Sequence, residues 1–121
     1  MCAHEDCYPQ PKKNNDMKTG IQLIAVERQR QIEKEGWTPE HDSHHQSGEL
    51  NDAAIAYAQA SAYLSRGESI EWVKAAEGIG KINFPWQESW WKPSPDRVRN
   101  LVKAGALIAA EIDRLNRLNS N

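Results

Sequence analysis

Between Val98 and Leu115 apolar and small residues recur as Val98, Leu101, Val102, Gly105, Ile108, Ala109, Ile112 and Leu115. Steps of three and four place such residues on one side of an α-helix. No other stretch of the chain has so clean a period, and none alternates with the period of two that a half-buried strand would need. Ser94-Pro95-Asp96 supplies a helix start, with Ser94 as N-cap, proline at the first position and an acid in the first turn. The spacing therefore predicts a helix to about Leu118, with its stripe in the core.

Two further segments read the same way. From Thr19, the residues Ile21, Ile24, Ala25, Arg28 and Ile32 recur at helical spacing, with Arg28 interrupting the stripe. Gly36 is a suitable stop, so a first helix is predicted over roughly 19–35. A second helix runs from about Gly48 to Ser65 behind Ser47 as N-cap. Its stripe is Leu50, Ala53, Ala54, Tyr57, Ala58, Ser61 and Leu64, small enough for close helix approach. Ser69 caps a short helix reaching about Glu77. The expectation is an all-α fold: a small bundle of three main helices plus one short helix, with a Trp-rich loop. Three amphipathic helices in so small a unit leave part of their stripes open, so a homo-oligomer is expected.

Two segments resist regular structure. Gly36–Gly48 (GWTPEHDSHHQSG) is dense in turn formers and chemistry, and is expected to be irregular throughout. Phe84–Pro93 (FPWQESWWKP) packs three of the five tryptophans and the only phenylalanine into ten residues that include Pro85 and Pro93. Residues 1–18 form a polar arm, and 19–121 a single α-helical domain.

Composition narrows the function classes. A chain of 121 residues fits one domain. No apolar run approaches the roughly 20 residues of a spanning helix, and the polar N-terminus shows no secretory leader. A net charge of −2 lacks the basic excess of a duplex nucleic-acid binder. Cys2 and Cys7 read as free thiols of a reducing cytoplasm. There is no glycine-rich phosphate loop, no G-x-S-x-G and no paired C-x2-C.

What remains is two constellations. The first runs from Glu27, Arg28, Arg30, Glu33 and Glu35 through Glu40, His41, Asp42, His44 and His45 to Glu49 and Asp52. Glu49 and Asp52, three apart, share a helix face, and carboxylates of this kind suit Mg²⁺ at substrate phosphates. The imidazoles suit a transition metal or acid–base work, although H-x2-H-H lacks the spacing of a zinc motif. The second joins Trp86, Trp90 and Trp91 to Lys92, Arg97 and Arg99. Indoles can stack on a purine while cations hold phosphates; the same rings could instead close the open end of the core.

The blocks ERQRQI (27–32), EGWTPEHD (35–42), His45, GEL (48–50), Pro85-Trp86, WWKP (90–93) and LVKAGALIAAEI (101–112) resemble a set of small phage and prophage proteins. The resemblance covers about 21–118 and implies a bacterial cytoplasm. A weaker one is to the MazG-like all-α nucleotide pyrophosphohydrolases. Those hold Mg²⁺ with carboxylates from an E-x-x-E helix and a later E-x-x-D helix. Glu49-Leu50-Asn51-Asp52 matches the second half only, since Glu27, Glu33 and Glu35 are followed at +3 by Arg30, Gly36 and Thr38.

Three functions follow as expectations. The first is a phage-type accessory protein that binds a nucleotide-derived small molecule, in its most concrete form sequestering a nucleotide immune signal uncleaved. Its ligand would meet Arg28, Arg30, Trp37, His41, Asp42, His45, Glu49, Trp86, Trp90 and Lys92. Trp37 or Trp90 would stack on a base, Arg28, Arg30 and Lys92 would hold phosphates, and His41 and Glu49 would bond a ribose. The second is a Mg²⁺-dependent pyrophosphohydrolase with Glu33, Glu49 and Asp52 at the metal. The third is an inhibitor that docks on a host enzyme through the tryptophan loop. The first requires that 36–49 and 84–93 converge on one concave pocket.

Overall fold

A computed structural model gives the fold and describes residues 18–42, 44 and 46–119. The arm, apart from Lys18, and His45 lie outside the described residues. Among the described residues, helices α1 (Gly20–Glu35), α2 (Pro39–Asp42), α3 (Glu49–Ser65), α4 (Ile70–Ala76) and α5 (Arg97–Asn119) follow in order, with a 3₁₀ turn at Glu88–Trp90. No strand occurs among the described residues, and the fold is all-α.

Local chemistry sets the ends. At the start of α1, Thr19 Oγ1 accepts from Gln22 N–H at 3.2 Å and Gln22 Oε1 accepts from Thr19 N–H at 2.8 Å. This reciprocal pair satisfies two backbone donors that would otherwise lack partners. Gly36 ends the helix with φ 74°, a left-handed conformation that costs glycine least. Two caps differ from the sequence expectation. Gly48, not Ser47, is the N-cap of α3, and it has no side chain to cap with. Helix α5 begins at Arg97, and its first turn is capped by Asp96, whose Oδ1 accepts from Val98 N–H at 2.9 Å. Ser94 instead accepts from Asp96 N–H and exchanges two bonds with Asn100, at 2.7 and 2.8 Å. The 36–48 segment also departs from expectation, since Pro39–Asp42 makes one helical turn.

Helix α5 is central. It packs along α3 and along α1, it also touches α2, and α4 packs on α3. Both long neighbours run antiparallel to it. Arg97 reaches Ser61 near the end of α3, while Glu27 and Ile24 meet Arg99 and Gly105 in that reversed order. The core joins Leu50, Ala53, Ala56, Tyr57 and Ala60 of α3 to Ala104, Leu107 and Ala110 of α5. Alanines on both sides let the two backbones come close. Val73 and Ala76 of α4, then Ile82, Phe84 and Trp91, close this core at one side.

Most of the apolar stripe of α5 faces outward, Val102 being the buried exception. Val98, Leu101, Ile108, Ile112 and Leu115 are each 43–52% exposed. The face of α5 turned inward carries Arg99, Asn100, Val102, Lys103, Ala104, Ala106, Leu107, Ala110, Glu111 and Arg114. Helix α1 is turned in the same sense: Leu23, Glu27, Arg28 and Gln31 are buried, whereas Ile21 is 82% exposed.

Candidate functional site

The tryptophan-bearing loops meet. Trp37 follows the α1 cap, and its indole stands edge-on to Trp86 with ring centroids 5.0 Å apart. Trp86 continues to Phe84 at 5.7 Å and to Trp90 at 6.3 Å. Phe84 touches Trp91 and Tyr57, which touch each other at 4.9 Å. At the other end the His41 ring lies 5.8 Å from Trp37. The result is a row of rings running from the core outward. Trp91 belongs to the core, Trp37 and Trp86 are half-buried, and Trp90 is 49% exposed. Offset and edge contacts of this kind add to area burial.

Backbone ties hold the row in place. Trp37 N–H donates to Gln31 O at 3.0 Å. Arg28 Nη1 donates to Trp37 O at 3.1 Å, and its Nη2 to Asp42 Oδ2 at 2.7 Å. Asp42 is fully buried, so this ion pair clamps α2 against α1. On the other loop, Tyr57 Oη accepts from Lys92 N–H at 3.2 Å, and Lys103 Nζ donates to Lys92 O at 2.7 Å. The Lys103 ammonium also sits 5.1 Å above the Tyr57 ring, a favourable cation–π placement.

A second charged centre lies between α1 and α5. Glu27 is 1% exposed and accepts from Arg30 Nε and Nη2 at 2.8 and 2.9 Å, from Gln31 Nε2, and from Arg99 Nη1. Arg99 is fully buried. Arg30 also reaches Glu35 at 2.6 Å. Burial alone would raise the Glu27 carboxyl, but hydrogen bonds and charge from Arg30 and Arg99 outweigh it and hold the group below its ordinary value. Glu27 in turn pushes the Arg30 guanidinium up. This centre stays ionised at neutral pH.

The expected site residues therefore divide. Trp37, His41, Trp86 and Trp90 come together, and Lys92 is exposed at the end of the loop that carries the last two. Arg28 and Arg30, expected at phosphates, are engaged with Asp42, Glu27 and Glu35. Arg99, grouped with the tryptophan loop on sequence, lies inside on Glu27, and Arg97 Nε donates to Ser61 O at 3.2 Å. Glu49 accepts from Ser47 N–H at 2.7 Å. Glu33, exposed, accepts from Gln29 at 2.6 Å, and Asp52 is exposed on α3. Among the described residues no three His, Cys, Asp or Glu side chains group as a metal site would require. Lys103 was missed on sequence; its only signal was a lysine facing the same side of α5 as Leu107 and Ala110. Likewise nothing near Glu27 in sequence pointed to Arg99, 72 residues away.

Among the described residues no helix is long and apolar enough to cross a membrane. Comparison of the chain with protein-family models, curated proteins and solved structures finds no match.

Proposed function

We propose that the chain binds a flat, anionic, nucleotide-derived small molecule against Trp37, Trp86 and Trp90 and holds it without cleaving it. The observation that carries this reading is the meeting of Trp37 with Trp86, which leaves the Trp90 ring half exposed beside them. An indole held by its neighbours loses little freedom when a base stacks on it, and such stacking is worth roughly 1–3 kcal/mol per base. Lys92 supplies the cation for a phosphate, and the His41 ring supplies a polar edge for a sugar hydroxyl. In its most concrete form the protein is a phage or prophage accessory protein, acting in the bacterial cytoplasm as a homo-oligomer to sequester a nucleotide signal of immunity.

The test is a tryptophan-fluorescence titration with linear and cyclic nucleotides, followed by heating and chromatography of the released ligand. The expected result is saturable quenching, intact ligand, and an affinity reduced about tenfold or more in Trp90→Ala. Quenching by no nucleotide overturns the reading. Turnover in Mg²⁺ that Glu49→Ala abolishes assigns the chain to the hydrolase class instead.

A further inference from the structure

The outward face of α5 has a regular spacing: 98, 101, 105, 108, 112 and 115 follow steps of three and four, the a and d positions of a heptad. No charged residue stands on that line. Five of the six positions carry exposed Val, Ile or Leu, and the sixth is Gly105, against which Ile24 of α1 is packed. The opposite side of the same helix is committed to α3 and α1 and carries the buried charges Arg99, Lys103, Glu111 and Arg114. Helix α1 adds Ile21, the most exposed of the large apolar residues. These two helices put ionic groups inside and aliphatic ones outside, the reverse of what water around an isolated copy would favour.

We infer that this face is where a second copy of the chain docks, α5 against α5 about a two-fold axis, with α1 of each copy at the flank. Three observations select that occupant. A heptad seam fits a helix with the same repeat, because its knobs need holes at matching intervals; α5 of another copy has that repeat by definition. A two-fold contact uses one patch twice, so it must be self-complementary, and an uncharged aliphatic line has no like charges to oppose. The area is also suitable. Ile21, Val98, Leu101, Ile108, Ile112 and Leu115 leave on the order of 600 Å² open per copy, the upper end for the largest patch on a monomer and most of the roughly 800 Å² that each partner gives a stable interface. Residues 1–17 do not suit as the cover, since MCAHEDCYPQPKKNNDM holds no Val, Ile, Leu, Phe or Trp and no heptad. The inference does not depend on what the tryptophan row binds.

The experiment is molar mass by light scattering and sedimentation over a wide concentration range. It compares the full chain, Ile108→Glu, Ile79→Glu and a chain lacking residues 1–17. Ile108 and Ile79 are both exposed, at 49% and 61%, so neither substitution disturbs the core, and helicity is checked by circular dichroism. The expected mass of the full chain is twice 13.7 kDa. Ile108→Glu is expected to weaken self-association about 100-fold or more, because it buries an unpaired charge in the seam. Ile79→Glu, off the stripe, and the shortened chain are expected to remain dimers. A full chain that stays at 13.7 kDa at every concentration overturns the inference. A folded Ile108→Glu that dimerises as the full chain does overturns it as well. A full chain that stays monomeric while the chain lacking 1–17 dimerises assigns the face to the arm and overturns it too.

Discussion

Helices α3 and α5 face each other across the core, yet they treat their apolar residues in opposite ways. In α3 the stripe read from sequence is the buried one, and Leu50, Ala53, Ala54, Tyr57 and Ser61 are all inside. In α5 most of the stripe read from sequence lies outside, and the interior receives Val102, Ala104, Leu107 and Ala110 together with four charged side chains. The helices differ in how many usable faces they have. Most other positions of α3 are polar or small, whereas α5 has a second face of alanines and long side chains that cover apolar surface with their stems. Periodicity identifies an apolar line but not what covers it. In α5 the inner face is selected by ion pairs and close backbone approach, and these link residues far apart in the chain.

The largest expected break in this comparison comes from the buried charge. Glu27→Gln removes the buried carboxylate charge that Arg99 and Arg30 share, and is expected to destabilise the protein by about 3–5 kcal/mol in urea unfolding. A value below 1 kcal/mol would mean that the interior of α5 does not rest on this pair.

Next come two residues adjacent in sequence. Leu107 is 2% exposed and Ile108 49%. Leu107→Ala is expected to cost about 2–5 kcal/mol. Ile108→Ala should stay within about 0.5 kcal/mol when measured on a variant held monomeric by Leu101→Glu, its parent being the reference. Equal losses would erase the distinction between the two faces.

The pH dependence sharpens the same point. The folded Glu27 carboxyl lies below its ordinary value of 4.5. Its stabilisation is therefore complete above that pH and is lost as pH falls through the lower, folded value. The difference in unfolding free energy between the wild type and Glu27→Gln should be flat at neutral pH and shrink on acidification below about 4.5. A difference that grows on acidification would reverse the sign assigned here.

The smallest effect is at Gly105. A Cβ built there would come within 2.7 Å of Ile24 Cγ1. Replacing glycine by alanine in a helix gains up to about 1 kcal/mol, and this contact offsets the gain. Gly105→Ala is expected to be neutral to slightly destabilising alone, and to become stabilising by about 1 kcal/mol in an Ile24→Ala background. Full additivity in thermal unfolding would show that the two helices do not touch there.

Much of the architecture was legible because it is local. Thr19, Gly36 and Ser69 mark helix ends through chemistry within three or four residues, and the α1 and α4 boundaries follow them. The nucleotide reading required the 36–49 and 84–93 segments to converge, and Trp37 of the first does meet Trp86 of the second. The fate of the cations was not legible. Arg28, Arg30 and Arg99 look equally available in the sequence, and only the fold brings Asp42 and Glu27 against them. The start of α5 was misplaced by two residues because Ser94, a good cap by type, is held by Asn100.

That amide has a chemical consequence of its own. Asn100 gives a proton to one atom of Ser94 and takes one from another, and it does both out of water's reach. An aspartate in its place would turn the giving end into an oxygen facing the Ser94 carbonyl oxygen. One atom's change, at constant size and shape, would set two acceptors in opposition where the ring-bearing loop joins the longest helix. Burial keeps water from this amide and so protects the joint.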